Sequence, residues 1–142
     1  MTSYIVKFGY TQVVEDGKEK RITEEWIFEA ETYTQAEAYA TKEISTLHAD
    51  MTIKAIKPAR YADILTDEEG DFFFSTRTNL ITLNEVSGKE EKVAVNVLIQ
   101  ACEISDAIAM LEKYWGEGVS DYEITQVAKT NIVEFIKLEK ED

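Results

Sequence analysis

The side chains that most often carry catalysis are scarce in this chain. It contains one histidine, His48, and one cysteine, Cys102, separated by 54 positions. A cysteine nucleophile needs a base within hydrogen-bonding reach, and this separation provides no local motif that pairs the two. His48 lies near the end of a predicted helix, where the helix dipole favours it, and Cys102 lies at a strand end. We therefore predict no catalytic residues and no enzymatic activity.

Metal and cofactor sites are not indicated either. Structural zinc needs several cysteine or histidine ligands at set spacings. The acidic runs TDEEGD (66–71) and LEKED (138–142) lack the regular spacing of a calcium loop. The segment GEGVSD (116–121) follows a predicted helix, whereas a glycine-rich phosphate-binding loop opens one. The sequence predicts no metal and no cofactor.

Three consecutive aromatic residues form the first candidate interaction site. Because successive strand residues point to opposite faces, both faces of the sheet receive a phenylalanine. The two interpretations are burial between the halves of the chain and an exposed patch that binds a partner. The residues are Phe72, Phe73 and Phe74.

Four cations form the second candidate site, and they are Lys54, Lys57, Arg60 and Arg77. Three of them belong to a predicted strand that Pro58 marks as a sheet edge. Lysines commonly protect such edges from pairing with other chains. The alternative interpretation is anion binding.

Charge limits the classes of ligand. The 142 residues include 28 acidic and 15 basic side chains, for a net charge of −13. Non-specific duplex binding draws its affinity from lysine and arginine, so this charge argues against it. The acidity serves either solubility or binding to a basic partner, including imitation of nucleic acid. A single cysteine, no secretory signal in MTSYIVKFGY and no long apolar run predict a cytoplasmic protein.

A repeat organises the chain. EDGKEKRI (15–22) resembles VSGKEEKV (86–93), and Gly17 and Gly88 are 71 positions apart, half of the length. The same offset preserves the apolar phase of strands and helix, which indicates duplication of one supersecondary unit. Residues 4–8 align poorly with 75–79, so we expect a shift or bulge there. The equivalent buried pairs should be Trp26 and Val97, Phe28 and Ile99, Ala36 and Ala107, and Ile44 and Trp115.

Each repeat predicts two strands, a helix and a third strand. In the first repeat these are strands 4–14 and 21–31, a helix from a Thr34–Glu37 capping box to Leu47, and a strand over 52–64. The buried residues of this helix should be Ala36, Tyr39, Ala40, Ile44 and Leu47. In the second repeat the elements are strands 72–84 and 92–102, a helix capped by Ser105 and ended by GEG (116–118), and a strand over 122–136. Both third strands break alternation, which predicts a bulge between Ile53 and Ile56 and between Ile124 and Val127.

This order of elements favours one topology. The second and third strands should be parallel, joined by a right-handed helical crossover, with the first strand antiparallel between them. Two such units are each marginal alone. The predicted fold is therefore α+β: one domain, 1–142, of tandem β-β-α-β repeats (1–71 and 72–142), with antiparallel-rich sheets and internal pseudo-twofold symmetry. Edge strands leave monomer and homodimer open.

The segments RITEEWIFEAETYTQAEAYA, IKPARYADI and LITLNEVSGKEEKVAVNVLIQACEISDAIAMLE resemble domain-of-unknown-function family 4494 over nearly the whole chain. The resemblance implies a short cytoplasmic protein of gut anaerobes, their phages or mobile elements, and implies no site residues. We expect a non-enzymatic accessory protein that binds a protein partner. The alternative is a single-stranded DNA accessory factor in replication or recombination. No membrane association is expected.

Overall fold

A computed structural model describes residues 2–116 and 121–138. Two helices and two mostly antiparallel four-stranded sheets give the α+β fold that the sequence predicts. The strands are β1 (Thr2–Val13), β2 (Glu19–Ala30), β3 (Thr52–Pro58), β4 (Asp63–Leu65), β5 (Phe72–Leu83), β6 (Glu90–Ala101), β7 (Tyr122–Lys129) and β8 (Ile132–Ile136). The helices are α1 (Tyr33–Leu47) and α2 (Ile104–Trp115).

The chain divides into two compact units. The first unit comprises the described residues of 1–59 and 131–142, and the second those of 60–130. Sheet 1 has the order β3-β1-β2-β8, and sheet 2 the order β4-β6-β5-β7. The predicted arrangement of the first three strands of each repeat, with the first strand central and antiparallel to both neighbours, is confirmed.

A fourth strand in each sheet was not predicted. The predicted strands 52–64 and 122–136 are each two strands, and the second piece joins the sheet formed by the other predicted repeat. Thus β8 pairs in parallel with β2, and β4 pairs in parallel with β6. Asp63 lies opposite Val97 and Glu134 opposite Trp26, so the two exchanges occur at the same offset of 71 residues.

The register explains the poor alignment of the first strands. Thr2 pairs with Ala30 and Phe72 with Ala101, so β5 is offset from β1 by 70 residues whereas β6 is offset from β2 by 71. The second hairpin is therefore one residue longer before its glycine. Gly17 and Gly88 have φ of 75° and 71°, the left-handed conformation that glycine adopts readily. Duplication, the single domain of repeats 1–71 and 72–142, and pseudo-twofold symmetry stay predictions.

Both predicted bulges are present. The pairing of β1 with β3 skips Lys54, and the pairing of β5 with β7 skips Thr125. Each bulge places an extra residue between two apolar ones that face the helix. Both bulged strands lie at sheet edges, as Pro58 indicated for the first.

One side of each sheet packs against its helix. All eight residues of the predicted equivalent pairs are buried, and the most exposed of them, Trp115, is only 8% exposed. The first core combines Val6, Phe8 and Phe28 with the helix, and the second has Phe74, Ile99 and Leu111. The prediction that Leu47 is buried is wrong, because the side chain of this last helical residue is 64% exposed.

Both helices begin earlier than predicted. Thr32, not Thr34, caps α1: its Oγ1 accepts from the amide of Gln35 at 3.1 Å, and Oε1 of Gln35 accepts from the amide of Glu31 at 2.7 Å. The capping-box chemistry is thus present two residues upstream. Glu103, not Ser105, is the N-cap of α2, and Gly116 is its C-cap. The other two residues of GEG lie outside the described residues.

Candidate binding site

An open groove lies between α1 and β3 in the first unit, with a cavity volume of about 500 Å³. Helix residues form one wall and the edge strand forms the other. The lining residues are Tyr33, Glu37, Thr41, Met51, Thr52, Ile53, Lys54, Ala55 and Ile56. We call this site the α1–β3 groove.

Helical spacing positions the first wall. Tyr33, Glu37 and Thr41 are four residues apart and therefore lie one above the other on one face of α1. Eight residues of helix span about 12 Å, which sets the length of the wall. The Thr32 cap satisfies the amide of Gln35, so the first turn, which carries Tyr33, is held in helical conformation.

The floor of the groove is apolar because β3 has a bulge at Lys54. Ile53 and Ile56 are three residues apart, yet both pack against the first core because Lys54 is the extra residue between them. Met51 packs against the same core. A floor that is continuous with a packed core keeps a fixed shape, which favours binding without large rearrangement.

Aromatic rings border one end of the groove. The ring of Tyr33 meets that of Tyr4 edge to face, with centroids 6.4 Å apart. Tyr33 remains 51% exposed. A half-exposed tyrosine whose ring is held by a neighbour offers contact area at low entropic cost, as is common at protein interfaces.

Titratable groups in the first unit are engaged in a structural cluster. The Tyr10 hydroxyl donates to Oε1 of Glu24 at 2.9 Å, and the Trp26 indole donates to Oε2 at 3.1 Å. The pKa of the Tyr10 hydroxyl is raised above its ordinary value. Burial has the largest effect, and the Glu24 carboxylate adds to it. The His48 ring stacks on Tyr10 with centroids 3.6 Å apart. A tyrosine with a raised pKa keeps its proton, so the Tyr10 hydroxyl acts here as a hydrogen-bond donor.

The sulfur of Cys102 donates to the carbonyl oxygen of Glu69 at 3.0 Å. In the described part of the chain, no three His, Cys, Asp or Glu side chains are grouped closely enough to hold a metal ion. Over the same residues, neither helix has the length and hydrophobicity needed to cross a membrane.

Comparison with known proteins identifies the family. The model of the domain of unknown function DUF4494 matches residues 2–138, nearly the whole chain. The chain belongs to the DUF4494 family. No curated protein and no solved structure matches it.

The three phenylalanines of this DUF4494 member have different environments. Phe73 and Phe74 are buried, at 2% and 4% exposure, and Phe74 belongs to the second core. Phe72 is 37% exposed, and the Lys129 ammonium lies 3.4 Å from its ring centroid. Two of the three residues are therefore buried, and of the three only Phe72 offers surface to a partner.

The four predicted cations of this DUF4494 member are all exposed but divide between the units. Lys54 and Lys57 belong to β3 in the first unit, whereas Arg60 and Arg77 belong to the second. Lys54 also lines the groove at the edge of β3, but its side chain crosses to the face of sheet 1 that is opposite α1. Nζ of Lys54 donates to Oγ1 of Thr23 at 3.1 Å. Neither unit alone brings the four together.

Sequence reasoning missed the helix wall of the groove. Placing the cap at Thr34 left Tyr33 outside the helix, and Thr41 was not considered. The signal that identifies the wall is the Thr32–Gln35 pair, which is also a capping-box pattern and starts the helix early enough to include Tyr33.

Proposed function

We propose that this chain is a non-enzymatic accessory protein that binds a short segment of a basic protein partner in the α1–β3 groove. The observation that carries the proposal is the groove itself: an open cavity of about 500 Å³ with an apolar floor, beside a half-exposed tyrosine. Clefts with apolar floors and a few polar groups at the rim are the usual form of binding sites.

Charge supports a basic partner. The chain carries a net charge of −13, and Glu37 stands exposed in the helix wall of the groove. Complementary charge raises association rates and excludes wrong partners more than it raises affinity. Apolar side chains of the partner would occupy the floor formed by Ile53 and Ile56, and a basic residue would meet the carboxylate of Glu37.

The occupant is not expected to extend the sheet. The bulge at Lys54 interrupts the edge of β3, and Pro58 at its end has no amide hydrogen to donate. These features protect the edge from strand addition. Binding through side chains in the groove is compatible with them. Origin in a phage or mobile element and a cytoplasmic location are part of the proposal and rest on the family resemblance.

Matched substitutions on α1 test the proposal. Thr41→Arg places a long side chain in the groove, and Thr46→Arg places the same side chain at an exposed position of the same helix that does not line the groove. Wild type and both variants serve as baits in host extract, with retained proteins quantified by mass spectrometry. A basic protein retained by wild type and Thr46→Arg but lost with Thr41→Arg supports the proposal. Equal retention by all three overturns it.

The alternative is a single-stranded DNA accessory factor that uses Lys54, Lys57, Arg60 and Arg77. Binding to a labelled single strand at several salt concentrations tests it, because phosphate contacts weaken steeply with salt. Tight binding at low salt with a steep salt dependence would favour this function over the protein partner. No binding at low salt would remove it.

A further inference from the structure

Two cationic side chains converge over Gly9 on the face of sheet 1 that is opposite α1. Arg21 extends from β2 and Lys54 from β3, and both reach across β1. A Cβ placed on Gly9 would lie 3.0 Å from Cε of Lys54 and 3.3 Å from both Nε and Nη2 of Arg21. The absence of a side chain at Gly9 thus makes room for both cations. We call this cluster the Gly9 cation pair.

Hydroxyl groups and one carboxylate surround the pair. Nη1 of Arg21 donates to Oγ1 of Thr11 at 3.2 Å and lies 3.4 Å from Oδ2 of Asp50. Nζ of Lys54 donates to Oγ1 of Thr23 at 3.1 Å. The amide of Thr11 donates to the same Asp50 oxygen at 3.0 Å.

The charges of this cluster do not balance. Asp50 contacts Nη1 of the guanidinium, whereas Nε and Nη2 lie over Gly9, as does Cε of Lys54. Lys7 lies two residues before Gly9, on the same face of the sheet. Its charge is balanced by Glu25, which lies opposite Lys7 in β2. The pair itself therefore has two positive charges close together and one carboxylate, in a protein whose net charge is −13. Like charges at short range repel, and an anion that bridges them removes the repulsion.

We propose that the Gly9 cation pair binds a phosphate group carried by a small molecule. Guanidinium, ammonium and hydroxyl donors are the set that recognises phosphate oxygens. Arg21 and Lys54 would each donate to a phosphate oxygen, and the hydroxyls of Thr11 and Thr23 would complete the site. Because a nucleic acid chain needs several phosphate contacts in a row, one close pair in an acidic protein fits a single phosphorylated ligand better.

The second unit supplies an internal control. In the equivalent places of sheet 2 stand Asn79 for Gly9, Lys92 for Arg21 and Thr125 for Lys54. Lys92 is exposed to a similar degree as Arg21 and lies 3.5 Å from the Glu123 carboxylate. The site in sheet 2 therefore has one cation and one carboxylate, and it lacks the excess positive charge of the Gly9 cation pair.

The test titrates pyrophosphate into the full chain, at constant ionic strength, and follows backbone amides by two-dimensional NMR. We expect saturable shifts that concentrate at Gly9, Thr11 and Thr23. Arg21→Gln should weaken the affinity about tenfold, as expected for loss of a charge-assisted hydrogen bond. Lys92→Gln removes the same charge elsewhere and should leave the affinity unchanged.

A second variant keeps the result interpretable. Gly9→Ala introduces a Cβ 3.0 Å from Lys54 Cε, which should separate the cations and weaken pyrophosphate binding while both charges remain. Circular dichroism confirms that each variant is folded. Shifts spread over the surface, or equal weakening by Lys92→Gln and Arg21→Gln, would show a general charge effect and overturn the proposal. A single-stranded oligonucleotide that binds through Arg21 more tightly than pyrophosphate would overturn the small-molecule ligand.

Discussion

The indole nitrogen of Trp115 donates a hydrogen bond to Oγ1 of Thr78 at 3.1 Å, and both residues are buried in the second core. At the equivalent places of the first unit stand Ile44 in α1 and Phe8 in β1. The large aromatic side chain thus belongs to the strand in the first unit and to the helix in the second. Only the second unit needs a hydroxyl at this position. The indole of Trp115 brings an N–H donor into the core, and a buried donor needs a hydrogen-bond acceptor.

Thr78→Val tests this hydrogen bond. Valine has nearly the same shape but leaves the indole N–H without its acceptor, so the free energy of unfolding should fall by about 1–3 kcal/mol. Chemical denaturation followed by circular dichroism measures it. Thr82→Val, at an exposed position of the same strand, is the matched control and should change stability by less than about 0.5 kcal/mol. Equal effects of the two would mean that the buried bond contributes nothing specific.

Alanine substitutions test which of the side chains predicted to be buried contribute to stability. Phe28→Ala and Trp115→Ala each leave a cavity in a core where the native side chain is 1% and 8% exposed, and each should cost about 3–5 kcal/mol. Leu47→Ala, at 64% exposure, should cost less than about 0.5 kcal/mol. Denaturant midpoints report all three. A large loss with Leu47→Ala would restore the sequence-based prediction that this residue is buried.

Periodicity was enough to predict the hairpins, the two helices and the core. Trp26 and Phe28 lie two residues apart in β2 and share the face that packs on α1, with Glu25 and Glu29 in the opposite phase. Ile27, also in the opposite phase, is buried too, which alternation does not predict. The bulges could be predicted because Ile53 and Ile56 cannot share a face of a regular strand. The helix starts were misplaced because Thr32 and Thr34 are both suitable caps, and only the backbone geometry distinguishes them.

The fourth strands and the groove could not be derived from local patterns. Strands β4 and β8 are three and five residues long, and only four and two residues separate them from β3 and β7. Which sheet they join is decided by long-range pairing, which leaves no periodic signal. The groove walls likewise meet only through packing of α1 on sheet 1. Phe73 and Phe74 were predicted as site residues from their types alone, whereas the burial of Phe74 depends on the packing of α2 on sheet 2.

Gly70 marks a close approach of two backbone segments in the second unit. A Cβ at this position would lie 2.7 Å from the amide nitrogen and 2.8 Å from the Cα of Ala101. The side chain of Gln100 also donates to the Gly70 carbonyl at 3.0 Å. Gly70→Ala should therefore force the backbone apart and cost about 1–3 kcal/mol. Glu68→Ala, exposed in the same turn, is the control, and equal thermal midpoints would contradict the close approach.

Alkaline pH should destabilise the fold through Tyr10. Its pKa is raised by burial and by Glu24, so folding favours the neutral phenol. The contribution is fully present below the ordinary tyrosine pKa of about 10 and is lost as the pH rises through the raised value. The free energy of unfolding of wild type should therefore fall more steeply above about pH 10 than that of Tyr10→Phe. Parallel profiles would show that Tyr10 titrates alike in the folded and unfolded chain.

The pairing of β8 with β2 can be tested with the two tryptophans, since Trp26 lies in the first unit and Trp115 in the second. Trp26 is 6% exposed and lies opposite Glu134 of β8 in the parallel pairing. Deleting residues 131–142 should uncover one side of β2. Trp26 emission should then shift to longer wavelength, measured in a Trp115→Phe background.

A point substitution tests the same pairing without shortening the chain. Ile132 is 5% exposed, and Ile132→Ala should cost about 2–5 kcal/mol because it leaves a cavity at β8. Val133→Ala, at 45% exposure in the same strand, should cost less than about 1 kcal/mol. Denaturation followed by Trp26 emission measures both. If the deletion leaves Trp26 emission unchanged and Ile132→Ala behaves like Val133→Ala, then β8 does not belong to sheet 1. Strand exchange between the repeats would then be wrong, whereas the three-stranded core of each unit would remain.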